Sequence, residues 1–100
     1  MLKKIIKTSA SWCMPCRAFA STFHRVENMD EYKNIEFKDI DIENDEEGET
    51  LVQKYQIRSV PTTLLLDENN EVIYKVMGNV TEKDFIMFIN KAMEKENEEK

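Results

Sequence analysis

Two cysteines separated by two residues are the part of this chain with the clearest capacity for chemistry. They lie in residues 12–17 (WCMPCR), and the 100-residue chain contains no other cysteine. Two thiols at this spacing suit a dithiol–disulfide cycle. One sulfur attacks a disulfide, and the other, one helical turn away, resolves the mixed disulfide. A Val60-Pro61-Thr62 sequence follows at the start of a later apolar run.

The alternative for this cysteine pair is half of a structural zinc site. Structural zinc requires four ligands, and the chain offers the two cysteines and one histidine, His24. A complete site would need a dimer or a carboxylate, so we expect no metal. His24 is expected on the polar face of a helix and is given no role.

The elements that must position the cysteines are predicted from hydrophobic periodicity. Residues 3–9 indicate a short strand, and Pro15 suits the first turn of the helix that follows, where its missing N–H costs nothing. That helix is predicted over residues 14–32. The later pattern predicts a strand at 35–42, a helix at 46–55, strands at 61–66 and 72–77, and a last helix capped by Thr81.

This order predicts an α/β fold, β-α-β-α-β-β-α, with a four-stranded mixed sheet flanked by helices on both faces. The first three strands are predicted to be parallel because helical crossovers connect them. The fourth is predicted to be antiparallel, since residues 67–70 form a turn cluster. The last helix shows an apolar stripe at helical spacing: Phe85, Phe88, Ile89, Ala92 and Met93. Residues 94–100 are predicted to fray.

Length and composition limit the possible functions. One hundred residues make a single domain, 1–100. The net charge of −6 argues against non-specific binding to nucleic acid or anionic membrane. No apolar run approaches the roughly 18 residues of a membrane span, and residues 2–6 are too short and lysine-rich for a signal peptide. We therefore expect a cytoplasmic monomer, in which a cysteine pair is more often catalytic or metal-binding than a structural staple.

The WCMPCR segment, residues 55–62 (YQIRSVPT) and Gly78 resemble thioredoxins. The resemblance extends from Ile5 to Ala92. The two motifs in this order are specific for the family, whereas a lone C-x-x-C would be only weak evidence for it. It implies a thioredoxin-like fold and a protein-disulfide reductase without a bound metal or organic cofactor. The implied partners are disulfide-bearing proteins and an upstream reductase of the thioredoxin reductase type, or glutathione.

The resemblance also implies roles for the two sulfurs. Cys13 is expected at the N-terminus of the helix, where the macrodipole and free N–H groups favour a thiolate, and is therefore the attacking sulfur. Cys16, one turn into the helix, is expected to be more buried and to act as the resolving sulfur. Arg17 adds positive charge nearby.

A substrate groove is implied around the cysteines, formed by Trp12, Met14, Pro15, Val60, Pro61 and Gly78. The Val60–Pro61 bond is expected to be cis, which turns the Val60 backbone outward to pair with an extended substrate. For Pro61 the alternative is an ordinary trans proline that opens a strand. For Trp12 it is a place in the core, and for Gly78 it is a glycine that simply ends a strand.

The sequence departs from the thioredoxin pattern in three places. It begins at the strand that leads to the cysteines, which implies a core of glutaredoxin size and leaves residues 35–42 as an exposed, charged edge. Met14 replaces the usual glycine. Lys7 takes the place of the family's buried carboxylate. We expect Lys7 to tune the cysteines, with an acidic neighbour such as Asp39; the alternative is a stem that covers apolar surface and reaches water.

Two other functions stay open at this point. One is a glutaredoxin-type enzyme supplied by glutathione, which the short N-terminus favours. The other is a redox-inactive binding module with this fold. The acidic residues 43–49 are interpreted as a solvated helix start rather than a docking surface.

Overall fold

The first strand of the protein leads directly to the cysteines, and the later elements pack around it. A computed structural model describes residues 1–98. The elements are β1 (Leu2–Ser9), α1 (Met14–Glu27), a 3₁₀ turn (Asp30–Tyr32), β2 (Glu36–Asp41), α2 (Gly48–Lys54), β3 (Thr62–Asp67), β4 (Val72–Met77) and α3 (Glu82–Glu98). The predicted strands agree with these bounds to within one residue at each end.

Strand β1 lies inside a sheet of order β2-β1-β3-β4 and is covered on both faces. Its two isoleucines point to opposite sides, as alternation along a strand requires. Ile5 packs with the aromatic residues of α1 and α3, among them Phe19 and Phe85. Ile6 packs with Leu51 of α2. The predicted four-stranded mixed sheet with helices on both faces is confirmed.

The direction of β3 differs from the prediction. Strands β1 and β2 are parallel, but β3 runs antiparallel to β1, with Thr8 opposite Thr62. The physical reason lies in the connection from β2. Helix α2 carries the chain to the end of the sheet that bears the β3–β4 turn, where the Tyr55 hydroxyl donates to Asn70 O at 2.7 Å. Gln56, at φ +52°, then turns the chain, and the segment before Thr62 returns it to the end it had left.

The first helix is shorter than predicted. Its C-cap is Asn28, whose backbone N–H and side-chain amide both donate to His24 O. The chain then turns so that Tyr32 is buried, with its hydroxyl 2.9 Å from Asn90 Oδ1 on α3. Burial raises the pKa of Tyr32, and the neighbouring carboxylate of Glu31 adds to this shift. Apolar spacing continued past the helix because the turn also faces the core.

Helix α3 follows the prediction at its start and departs from it further on. Thr81 Oγ1 accepts a hydrogen bond from Asp84 N at 3.1 Å, so the predicted cap is present. Phe85, Ile89 and Ala92 are fully buried, but Met93 is exposed. The helix extends to Glu98, and the fraying expected from residue 94 stays a prediction. Residues 99 and 100, the end of the predicted frayed segment, lie outside the described residues.

Strand β2 forms one edge of the sheet, as expected, since in the described chain it pairs only with β1. Glu36 is exposed and Lys38 is half-buried on this strand, and charge on an edge strand discourages pairing with other chains. Over residues 1–98, none of the helices combines the length and apolar character needed to cross a membrane.

The contact between α2 and the end of β2 gives a stability prediction. A Cβ added to Gly48 would lie 2.5 Å from Ile42 O and 2.7 Å from Ile42 Cα, both backbone atoms. We expect Gly48→Ala to lower the free energy of unfolding by about 1–3 kcal/mol, despite the better helix propensity of alanine. Urea denaturation of the oxidised protein measures this. Thr50→Ala, at an exposed position of the same helix, is the control, and equal midpoints for both variants would contradict the prediction.

Candidate active site

Cys13 occupies the N-cap of α1. Strand β1 ends at Ser9, the chain turns through Ala10, and Cys13 N donates to Ala10 O at 3.1 Å. The backbone N–H of Cys16 donates to Cys13 Sγ at 3.1 Å. Pro15 lies in the first turn, as predicted. A sulfur at this position receives a helix N–H and faces the positive end of the macrodipole, and both interactions favour a thiolate.

The two cysteines form a disulfide, with their Cα atoms 5.2 Å apart. Cys13 is 3% exposed and Cys16 is 2% exposed. The sequence had predicted that Cys16 is clearly more buried than Cys13, and burial does not distinguish them in this way. The disulfide holds both sulfurs in one small cluster with Ala10, against which Val60 packs. Their surroundings distinguish them instead. Cys13 Sγ lies 3.6 Å from Val60 O, whereas Cys16 borders a cleft on the side facing β2.

The Val60–Pro61 segment approaches the disulfide from β3. The peptide bond between these residues is cis, so the trans alternative is excluded. Gly78 N donates to Pro61 O at 2.8 Å, which brings the end of β4 beside the same turn. Gly78 has φ +87°, and no atom lies within 4 Å of a Cβ added there. Gly78 therefore both ends its strand and leaves open space next to Pro61.

Exposed apolar side chains surround this turn and the disulfide. Trp12 is 65% exposed, and Met14 is 68% exposed. The indole N–H of Trp12 donates to Glu43 Oε1 at 2.9 Å, so Trp12 is a surface residue rather than a core one. Met77, also 65% exposed, pairs with Thr62 and precedes Gly78. The sequence analysis missed Met77, although its place at the end of a strand, next to Gly78, could have indicated it.

Lys7 is buried, which excludes the alternative of a side chain that reaches water. The residue is 2% exposed, and Nζ lies 3.3 Å and 3.2 Å from the two carboxylate oxygens of Asp39, its partner in the β1–β2 register. Ser9 Oγ also donates to Asp39 Oδ1, at 3.0 Å. On the other side of Lys7, Thr63 is its register partner on β3. The buried Thr63 hydroxyl has no hydrogen-bond partner within the described residues.

Lys7 and Cys16 line one cleft of about 240 Å³. Arg17 forms part of its rim, and its guanidinium donates to Ser11 O at 2.7 Å. Asp41 also borders the cleft. A hydrogen bond from the Asn44 side chain, supported by the Glu43 N–H, holds the pKa of Asp41 below its usual value.

His24 lies away from the cysteines, on the exposed face of α1. Its Nδ1 is 3.0 Å from Glu27 Oε1. In the described part of the chain, no three or more His, Cys, Asp or Glu side chains are grouped so that they could hold a metal ion.

Sequence and structure comparisons agree with this geometry. The family model named Thioredoxin matches residues 2–91, and the chain belongs to this family. It is 31% identical over 75 residues to Thioredoxin Asp f 29 of Aspergillus fumigatus, covering 75% of this chain and 66% of that protein. It is 36% identical over 75 residues to Thioredoxin H5 of Oryza sativa subsp. japonica, covering 75% of this chain and 52% of that protein. The chain thus spans between about half and two thirds of these relatives.

Solved structures show the same fold. The thioredoxin Mala s 13 of Malassezia sympodialis superposes with a TM-score of 0.75 at 21% identity, over 89% of this chain and 74% of that one. The germline-specific thioredoxin Deadhead of Drosophila melanogaster gives a TM-score of 0.74 at 25% identity, over 88% of this chain and 78% of that one.

The N-cap position predicts unequal reactivity of the two thiols after reduction. A helix N-terminus lowers the pKa of a cysteine below its free value of about 8.5. We expect limiting iodoacetamide at pH 7 to alkylate Cys13 at least about fivefold faster than Cys16. Peptide mass spectrometry measures the two rates. In the urea-unfolded chain the rates should become equal, and faster alkylation of Cys16 in the folded protein would contradict the expectation.

Proposed function

We propose that this protein is a thiol-disulfide oxidoreductase that reduces protein disulfides through a Cys13/Cys16 dithiol–disulfide cycle. The observation that carries the proposal is the place of Cys13: at the N-cap of α1, with the Cys16 N–H on its sulfur and the Val60 carbonyl 3.6 Å away. Membership of the thioredoxin family supports it. The proposal includes the cytoplasmic location and the monomeric state expected from the sequence.

The cycle follows from the roles of the two sulfurs. In the reduced protein the Cys13 thiolate attacks one sulfur of a partner disulfide; the partner's S–S bond breaks and its other sulfur leaves as a thiolate. Cys16 then loses its proton to solvent and attacks Cys13 Sγ, which releases the second partner sulfur. The partner gains two electrons and two protons, and the cysteine pair loses the same number. The Cys13–Cys16 disulfide is the end state of this sequence.

Partner recognition in this proposal uses backbone and apolar surface together. The partner's chain is extended beside the cysteine that is attacked. This segment pairs with the backbone at Val60, next to the cis Pro61, and passes over the space left open at Gly78. Trp12, Met14 and Pro15 form the exposed wall on the helix side. Backbone pairing is independent of side-chain identity, so a groove of this type accepts many disulfide-bearing proteins.

Trapping of partners tests the assignment of the two sulfurs. Cys16→Ser keeps the attacking thiol but cannot resolve, so partners should accumulate as mixed disulfides on Cys13. Cys13→Ser, which keeps only the sulfur that faces the cleft, should trap few. Non-reducing gels and mass spectrometry after reaction with a disulfide-bearing protein measure both. A variant lacking both cysteines is the control, and equal trapping by the two single variants would overturn the assignment.

The electron donor separates this proposal from a glutaredoxin-type function. The rim of the site is apolar and acidic, since Glu43 accepts a hydrogen bond from the Trp12 indole. The nearby guanidinium of Arg17 already donates a hydrogen bond to Ser11 O. Such a rim offers little to the two carboxylates of glutathione. We therefore expect thioredoxin reductase with NADPH to reduce the protein faster than glutathione with glutathione reductase. NADPH consumption at matched concentrations measures this, and faster turnover with glutathione would move the protein to the glutaredoxin type.

A redox-inactive binding module remains the candidate from another class of function. An assay of protein-disulfide reduction distinguishes the two. A protein that binds partners equally well with and without its cysteines, and reduces no disulfide, would be a binding module.

A further inference from the structure

We propose that the buried ammonium group of Lys7, held in place by Asp39, stabilises the thiolate of Cys16 and speeds the resolving half of the cycle. The inference rests on the proposed function and adds to it a residue that governs one of its two steps. Lys7 acts on the reaction through Cys16 and is therefore a positioning residue rather than a catalytic one.

The fold places Lys7 and Cys16 on the same side of the sheet. Lys7 shares the face of β1 with Ile5, which packs against Phe19 of α1. Cys16 precedes Phe19 by three residues and so lies on the same face of the helix, one turn nearer the site. The two side chains consequently line one cleft. Cys13 is directed elsewhere, toward the Val60 carbonyl.

Four charged residues line this cleft, one from β1, one from α1 and two from β2: Lys7, Arg17, Asp39 and Asp41. They differ in their access to water. Arg17 is exposed and Asp41 is half-buried at the rim, where solvent and salt screen their charges. Lys7 is almost completely buried, and a buried charge is screened far less.

Asp39 fixes the ammonium group without cancelling its effect. The Asp39 side chain is 31% exposed, against 2% for Lys7, so water solvates the negative end of the pair and leaves the positive end inside. Ser9 also donates to this carboxylate and so stabilises its charge further. The pair thus presents a cation on the protein side of the cleft that Cys16 borders, and a nearby cation favours the charged form of a thiol.

The effect falls on one chemical step. Before Cys16 can attack Cys13 Sγ in the mixed disulfide, its thiol must give a proton to water, which reaches it through the cleft. A volume of about 240 Å³ is ample for water molecules. The resulting thiolate forms the bond to Cys13, and the electron pair of the broken bond leaves on the partner sulfur, which takes a proton from solvent. A cation beside Cys16 lowers the free energy of the thiolate on which this step depends.

The test compares a variant that removes the cation with one that keeps it. Lys7→Met removes the cation and should raise the pKa of the Cys16 thiol; Lys7→Arg keeps a cation beside Asp39 and should leave that pKa close to the wild-type value. Thiolate absorbance, measured with Cys13→Ser added to each variant, reports the pKa of Cys16 alone. A purely structural role would move the pKa in the same direction in both variants. The same titration with Cys16→Ser added should show a smaller change at Cys13.

A single-turnover experiment measures the step itself. Reaction of the reduced protein with 5,5′-dithiobis(2-nitrobenzoate) loads Cys13 with one aromatic thiol, which Cys16 then releases. Each unit of rise in the pKa of Cys16 lowers its thiolate fraction about tenfold, but it raises the rate at which each thiolate attacks about threefold. The release rate should therefore fall about threefold per unit. The loading step should change less. Lys7→Arg, which keeps a cation, should slow the release less than Lys7→Met does.

Controls separate this effect from charge loss and from instability. Lys38→Met removes the same charge from the other face of the sheet, where Lys38 pairs with Glu47. It should leave the release rate unchanged. The double variant Lys7→Met with Asp39→Asn removes both charges of the pair, so neither is left buried without a partner. It therefore tests the effect of the cation even if a single variant does not fold. It should release more slowly than wild type.

The outcomes are distinct from those that test the proposed function. Unchanged release in Lys7→Met and in the double variant, or an equally raised pKa of Cys16 in Lys7→Met and Lys7→Arg, would overturn the inference. Because the aromatic thiol replaces a protein partner, the dependence on Lys7 is measurable whether or not the protein reduces protein disulfides.

Discussion

The burial of β1 on both faces and along both edges is the constraint on which the site depends. Its last buried residue, Thr8, donates its hydroxyl hydrogen to Thr62 O at 2.7 Å and accepts from Thr62 N at 3.3 Å. These bonds join the strand that leads into Cys13 to the strand that begins after Pro61. The sulfur and the cis peptide bond arrive on separate segments of the chain, and this one contact fixes their separation.

Much of this arrangement could be predicted from the sequence because it depends on local rules. Pro15 and the turn before it fix where α1 begins, and the cluster at residues 67–70 fixes the hairpin. The pairing of Lys7 with Asp39 was also expected, since a lysine inside a covered strand requires a partner. The cis Val60–Pro61 bond was implied by the resemblance to thioredoxins, since neither residue alone favours cis.

The features that could not be predicted depend on where distant segments meet. The direction of β3 is set by the return of the chain at Gln56, and no periodicity in the sequence encodes it. Helix α1 ends at Glu27, but the apolar spacing continues beyond it. The spacing continues because Tyr32 also faces the core, from the turn that follows the helix. Cys13 and Cys16 are buried to nearly the same extent because both lie in one small cluster with Ala10, whereas the prediction of a more buried Cys16 had considered each residue alone.

The exposed methionines beside the disulfide have a consequence for selectivity. Met14 and Met77 are unbranched thioethers with three rotatable bonds each, so their surface changes shape at little energetic cost. A rim of this kind adapts to the contour of whatever lies against it and discriminates weakly between shapes. Fixed geometry is confined to the backbone around Pro61 and Gly78. Under the proposed function, such a protein distinguishes its partners by whether they can present an extended strand, and hardly by which side chains that strand carries.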